Sequence, residues 1–171
     1  MDWTISSNVK TLACTSVQNV ALMSRDDLSF QICKMPEDSK SAEGGYRAVR
    51  EGLFGFNKSK ASNLDPPKPI PIFMRDRKNR VVGGVIGYVY DGWLHIDLLW
   101  IEESFRNRGN GTKLLTMIEE EAAKSGCRHI DLDTFSFQAR PFYEKHGYTV
   151  FATLDNCPEG HSKHFLKKDL P

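Results

Sequence analysis

Arginine, asparagine and glycine crowd together at Arg106-Asn107-Arg108-Gly109-Asn110-Gly111, between an apolar run and a helix-patterned segment, with no spacer on either side. Glycines in such a loop let backbone amides approach a ligand closely or adopt positive φ. The segment that follows, Thr112 to about Ser125, puts Leu114, Leu115, Ile118 and Ala122 on one stripe and leaves Lys113, Glu119, Glu120 and Lys124 for water, as expected of a helix buried along one side. A helix start offers unpaired N–H groups at the positive end of its dipole, and two guanidiniums add charge and forked hydrogen bonds. Together they make an anion site suited to a phosphate or pyrophosphate.

The order of residues narrows the ligand. A P-loop needs Lys and then Ser or Thr after its second glycine, whereas the order here is Gly111-Thr112-Lys113, which excludes it. A dinucleotide fingerprint needs a third small residue where Leu114 stands, so that reading is weak. The spacing Arg-x-x-Gly-x-Gly remains, filled by Arg106, Gly109 and Gly111. A second segment follows downstream, Ala139-Arg140-Pro141-Phe142-Tyr143-Glu144-Lys145-His146-Gly147-Tyr148. In this order and separation the two resemble the acyl-CoA site of the GNAT superfamily of N-acyltransferases, over roughly Pro69 to Leu170. The resemblance implies an α/β fold with a mixed, mostly antiparallel sheet flanked by helices, acetyl-CoA as co-substrate and an amine as acceptor.

It also implies roles for particular residues. Leu99, Trp100 and Ile101, on the strand before the loop, would seat the thioester arm, and their amides are candidate oxyanion donors. Arg106, Asn107, Arg108, Gly109, Asn110, Gly111 and Thr112 would hold the pyrophosphate. Tyr143 falls on the family's tyrosine beside the CoA sulfur, where a phenol with an ordinary pKa of about 10 can protonate a departing thiolate. The asparagine common in the family three residues before Ala139 is Ser136 here, so Ser136 would make a shorter or water-mediated contact, with Thr134 and Gln138 as substitutes. For the base, counting back along the same strand gives His95. Asp97, two residues on and on the same face of a strand, could orient His95 or act through water. The alternative is that both merely satisfy hydrogen bonds beside Trp93 and the next strand. Glu102 and Glu103, at the strand end, read as solvated.

These residues need a scaffold. Ile70 to Arg75, Arg80 to Tyr90 and His95 to Ile101 read as an antiparallel meander, joined by the polar turn Asp76-Arg77-Lys78-Asn79 and by Asp91-Gly92, a strong hairpin signal. Gly83, Gly84 and Gly87 within one strand point to a bulge or a close backbone approach. Cys127 to Asp133 reads as a strand, followed by a short helix and a final hairpin of Tyr148–Leu154 and His164–Leu170. Upstream, Tyr46, Val49, Leu53 and Phe56 recur at helical spacing within Glu43 to about Lys58, with a kink or break expected at Gly52 and Gly55. This stripe reads first as core packing, and under the resemblance Tyr46, Phe54 and Phe56 would line the acceptor pocket.

A chain of 171 residues fits one domain with one substantial core. The reading is a single domain over 27–171 after an extension over 1–26, with a strand at Leu28–Cys33. A net charge of +1 argues against nucleic acid or membrane as partner and makes Arg106 and Arg108 a local site. Cys14, Cys33, Cys127 and Cys157 contain no CxxC pair, which suggests reduced thiols and a cytoplasmic setting. Cys157, His161 and His164 fall short of a four-ligand metal site, so no metal is expected. The acceptor expected is a small-molecule amine, because no long charged run advertises a polymer. A protein or peptide amine is the alternative, a homodimer is compatible with the sequence, and a non-catalytic acyl-CoA-binding module would need neither Tyr143 nor His95.

Overall fold

A computed structural model describes residues 39–62 and 64–171, so the expectations for 1–26 and for a strand at Leu28–Cys33 lie outside the described residues. The described residues divide into two units, one ending at Lys60 and the other spanning Ala61–Pro171. The described part of the first is a helix, α1 (Ser39–Lys60), which begins before Glu43 and continues unbroken through Gly52 and Gly55. Each glycine costs a helix about 1 kcal/mol but keeps its N–H donor, whereas only proline removes one. Side chains one turn apart brace it: Arg50 lies 5.7 Å from the Tyr46 ring, Lys58 5.9 Å from Phe54 and Lys60 5.6 Å from Phe56.

The second unit is built on a six-stranded sheet in the order β1-β2-β3-β4-β6-β5. Strands β1 (Lys68–Arg75), β2 (Val81–Tyr90) and β3 (Trp93–Ile101) form the expected antiparallel meander. Asp76 closes the first turn by accepting the backbone N–H groups of Lys78 and Arg80, each at 2.9 Å. Arg80 therefore belongs to the turn, and its guanidinium reaches across to Glu102 at 2.8 Å. Glu102 is thus paired, where the sequence suggested a solvated side chain. At the second turn Asp91 (φ 47°) and Gly92 (φ 82°) both take positive φ, matching the right-handed twist of the flanking strands.

Helix α2 (Asn110–Lys124) crosses to β4 (His129–Phe135), which runs parallel to β3. Helix α3 (Arg140–Lys145) leads into the hairpin of β5 (Thr149–Leu154) and β6 (Lys163–Asp169). Strand β4 begins at His129 and not at Cys127, because Cys127 is spent on ending α2. Gly126, at φ 82°, donates to the Ala123 carbonyl and Cys127 to that of Ala122, each at 3.0 Å, the Schellman arrangement. Cys127 is a buried free thiol whose pKa burial pushes up. The core joins Val85, Leu94, Ile96 and Ile101 of the meander to Leu114, Leu115, Ile118 and Ala122 of α2, then to Ile130, Leu132, Tyr143, Tyr148 and Leu166.

Beside β4, strand β3 is paired only from Trp93 to Ile96, against His129 to Leu132. Beyond that point the strands part: among the described strands β3 keeps β2 alone and β4 keeps β6 alone. A bulge marks the place, since Ile86 pairs with Leu98 and Gly87 with Ile96, leaving Asp97 unopposed. An unpaired extra residue bends its strand and tightens the local twist. Gly87 permits the bend, for a Cβ there would lie 2.5 Å from the His95 carbonyl oxygen and 3.1 Å from Ile118 Cδ1. Gly87→Ala is expected to cost about 2 kcal/mol of stability, read as a lower urea midpoint. Gly52→Ala, with nothing within 4 Å of the added methyl, is expected to gain about 0.5 kcal/mol. Equal effects would show that the close approach at Gly87 is not a constraint.

Candidate active site

The opening between β3 and β4 leads directly to the glycine loop. Gly109 caps α2 at φ 79°, and Asn107 is also left-handed at φ 58°. A Cβ at Gly109 would meet nothing within 4 Å, so the residue is there for its backbone angle and not for lack of space. Two side chains fasten the loop to what precedes it: Arg106 Nε donates to the Ile101 carbonyl at 2.8 Å, and Asn110 Nδ2 to that of Phe105 at 2.9 Å. The first helical bond runs from Lys113 N–H to Gly109 O. Among the described residues, the backbone N–H groups of Asn107 to Thr112 therefore donate to no other protein group. A run of free donors at a helix start, with the exposed Arg106 and Arg108 beside it, has the chemistry to cradle an anion.

Past Ile96 the edge of β3 that faces β4 has, among the described residues, no strand beside it. Strand geometry turns alternate N–H and C=O groups of Asp97–Ile101 toward that edge, so an extended ligand could pair with Leu99, Trp100 and Ile101 as a strand would. The short helix α3 borders the same region. Its Tyr143 is buried, with its ring edge-on to Phe142 at 5.2 Å and to Tyr148 at 5.7 Å. Burial first, and then the negative charge of Asp133, push the Tyr143 phenol up to about 12. It therefore stays protonated at every working pH. Among the described residues its hydroxyl has no hydrogen-bond partner, and no buried polar side-chain atom is left unsatisfied, so the hydroxyl reaches open space.

Helices α2 and α3 are fastened to each other. The Phe142 ring lies 3.4 Å from where a Gly111 Cβ would stand. His146 donates from Nδ1 to the Phe142 carbonyl at 2.7 Å, while its Nε2 faces the Thr112 hydroxyl at 3.0 Å. The two sequence motifs, about thirty residues apart, are thus one piece of structure.

On the face of the sheet away from α2, His95 Nδ1 lies 2.7 Å from Asp131 Oδ2, and both side chains are largely enclosed. The Tyr90 hydroxyl reaches the other carboxylate oxygen at 3.4 Å, and the Tyr88 ring lies 5.0 Å from the imidazole. The hydrogen bond to Asp131 raises the His95 pKa, against the opposing effect of burial. Asp97, in the bulge, is exposed and, among the described residues, makes no hydrogen bond to His95.

A family model for the acetyltransferase (GNAT) family matches residues 34–148. The chain belongs to that family. Membership makes it an acyltransferase and identifies the sheet, parted at β3 and β4, as the GNAT fold. An acetyltransferase of Agrobacterium fabrum is 35% identical over 122 residues, spanning 71% of this chain and 88% of the relative. A blasticidin-S acetyltransferase of Streptomyces morookaense is 36% identical over 94 residues, 54% of this chain and 69% of the relative. Among solved structures, an acetyltransferase from Bacillus cereus ATCC 14579 superposes with a TM-score of 0.70 at 36% identity, covering 82% of this chain and 96% of that one.

Within this GNAT scaffold the residues singled out in the sequence are not equally placed. The loop follows the β3 edge in the chain, and the helix that carries Tyr143 packs against it through Phe142 and Gly111. Ser136 is tied to the loop before β6, its backbone N–H donating to Ser162 O at 2.8 Å and its hydroxyl accepting from Ser162 N–H at 3.2 Å. Gln138 turns its oxygen back to Phe135 N–H at 2.8 Å and to the Thr134 hydroxyl at 3.1 Å, capping the end of β4. Both are already engaged in holding the turn. Tyr46, Phe54 and Phe56 stand on α1, with Tyr46 and Phe56 more than half exposed. Asp131, Tyr88 and Tyr90 are the residues the sequence reading passed over. The available signal was the alternation Asp131, Leu132, Asp133, which marks carboxylates facing away from the core, but pairing with His95 depends on a parallel register that sequence does not carry. Among the described residues no three His, Cys, Asp or Glu side chains group as metal ligands, and no helix is long and apolar enough to cross a membrane.

Proposed function

We propose that this GNAT protein transfers the acetyl group of acetyl-CoA to a primary amine of a small molecule, with both substrates bound together. The observation that carries the reading is the continuity of the site: a strand edge at Leu99–Ile101, unpaired among the described residues, runs into a cradle of free amides at Asn107–Thr112, against which the helix bearing Tyr143 packs through Phe142 and Gly111. An anionic pyrophosphate fits the cradle, and an extended amide-bearing arm fits the strand edge. The small-molecule acceptor is supported by the relative named as a blasticidin-S acetyltransferase, with which the chain shares 36% identity over 94 residues.

Acetyl-CoA supplies an activated acyl group and a thiolate leaving group. The chain's own groups do the rest. Amides on the β3 edge hold the acyl carbonyl and stabilise negative charge on its oxygen. Asn107–Thr112 and the arginines anchor the phosphate end, so the carbonyl stays in register beside the sheet. Tyr143, kept neutral by burial and by Asp133, donates its proton toward the sulfur as the C–S bond breaks. Its high pKa makes it a weak acid but one present in full at any physiological pH.

Tyr143→Phe is expected to lower kcat about 100-fold with acetyl-CoA affinity unchanged, measured by thiol release and by calorimetry on the same preparation. Undiminished turnover would remove the assigned role. Gly109→Asp adds an anion and a side chain at φ 79°, and is expected to weaken acetyl-CoA binding at least tenfold, the strain alone being worth about 1–2 kcal/mol. Unaltered affinity would refute the cradle.

A further inference from the structure

We infer that His95 and Asp131 act as a pair in this transfer, Asp131 holding the imidazole so that Nε2 is the base that receives the acceptor's proton. The inference deepens the proposed function and rests on it. It begins with a chemical constraint: a carboxylate only accepts hydrogen bonds, so the 2.7 Å contact from Nδ1 to Asp131 Oδ2 places the imidazole proton on Nδ1 and the lone pair on Nε2. Among the described residues nothing hydrogen-bonds Nε2. The second constraint is position. His95 and Asp131 are direct partners in the parallel ladder, and the ladder ends one residue later, at Ile96 and Leu132. The pair therefore borders the opening in which the β3 edge is exposed. The Tyr90 hydroxyl on Asp131 Oδ1 at 3.4 Å and the Tyr88 ring at 5.0 Å restrict both partners.

A second histidine–aspartate pair in the same sheet serves as an internal contrast. His129 Nδ1 and Asp169 Oδ1 also lie 2.7 Å apart, but the Asp169 side chain is 79% exposed whereas that of Asp131 is 24% exposed. His129 opens the parallel ladder at the end remote from the parting of the strands. Contact alone does not make a catalytic pair, and its enclosure at the opening sets the His95 pair apart.

The proton balance closes without another reactant. An ammonium acceptor gives one proton to His95 Nε2, which returns it to solvent, and its nitrogen attacks the thioester carbonyl. As the C–N bond stays and the C–S bond breaks, Tyr143 protonates the sulfur and recovers the second proton lost by the nitrogen. The products are the acetamide, the free thiol of CoA and one proton in water. The charged and titratable groups around His95 are Asp97 on its own strand, Asp131 and Asp133 on β4, the neutral phenols of Tyr88 and Tyr90 on β2, and, across β4, Lys163, which holds Asp133 at 2.9 Å, and Lys167, opposite Asp131. Because the hydrogen bond to Asp131 is the largest influence raising the His95 pKa, turnover should fall with acid above the pH at which a free histidine would protonate.

The test is the pH dependence of kcat by thiol release with acetyl-CoA, using blasticidin S and a panel of primary amines as acceptors. His95→Gln is expected to lose about 100-fold in kcat along with the acid limb. Asp131→Asn is expected to lose at least tenfold in kcat with the acetyl-CoA KM unchanged, and to move the limb to lower pH. Asp169→Asn is expected to leave both unchanged. Nitrogen-detected NMR of the His95 imidazole, which reads tautomer and titration without any acceptor, is expected to show the Nδ1–H form in the native chain and its loss in Asp131→Asn. An unmoved limb in Asp131→Asn, a larger shift in Asp97→Asn, or an unchanged tautomer would overturn the pairing while leaving the transferase intact. Absence of thiol release from every amine would overturn the proposed function and this inference with it.

Discussion

The structure depends on a hydrogen-bond ladder that stops early. Two parallel strands that could have paired along their length pair over four residues and then separate, leaving polar backbone edges that water or a ligand must satisfy. A parted sheet has no intrinsic advantage over a closed one. It persists because each half is bonded on its other side, β3 to β2 and β4 to β6, and because Leu114, Leu115 and Ile118 of α2 close the core beneath. Burying a side chain of that size is worth about 1.5–3 kcal/mol, enough to offset an unmade ladder bond or two at about 1 kcal/mol each.

The position of the break also governs the chemistry that borders it. Above it stand backbone groups without strand partners among the described residues, and at its closed end stand His95 and Asp131, the next-to-last pair of the ladder. The anion cradle follows because β3 must turn sharply to enter α2, and the turn is made with left-handed residues at Asn107 and Gly109. One local decision, a bulge at Asp97 accommodated by Gly87, thus lies at the root of the strand edge, the entry to the loop and the site of the proposed base.

Most of the scaffold was legible in the sequence, because the signals were local. Asp91-Gly92 encodes its hairpin by turn chemistry, the stripe of α2 by period, and the loop by two glycines between a strand and a helix. The glycines of β2 announced a close approach before any partner was known. Where the reading fell short, the cause was interaction between segments. Gly126 claims Cys127 for the end of α2 and so moves the start of β4. Glu102 looks solvated until Arg80 is seen to arrive from the neighbouring turn. Asp97 was the natural companion of His95 by strand parity, yet Asp131 holds that place because parallel register, invisible in one chain, sets it opposite. The glycines of α1 looked like breaks because propensity was weighed residue by residue, whereas a helix of 22 residues spreads their cost over many hydrogen bonds.

The imidazole of His146 joins the carbonyl of Phe142 to the hydroxyl of Thr112, and the Phe142 ring rests against Gly111. In mechanical terms this is a bolt between the first turn of α2 and the end of α3. The first turn of α2 and short α3 are thereby tied to each other. Under the proposed function, a pull on the amides of that turn would be felt at the phenol of Tyr143, so that grip at a remote anion and placement of the proposed proton donor would become the same event.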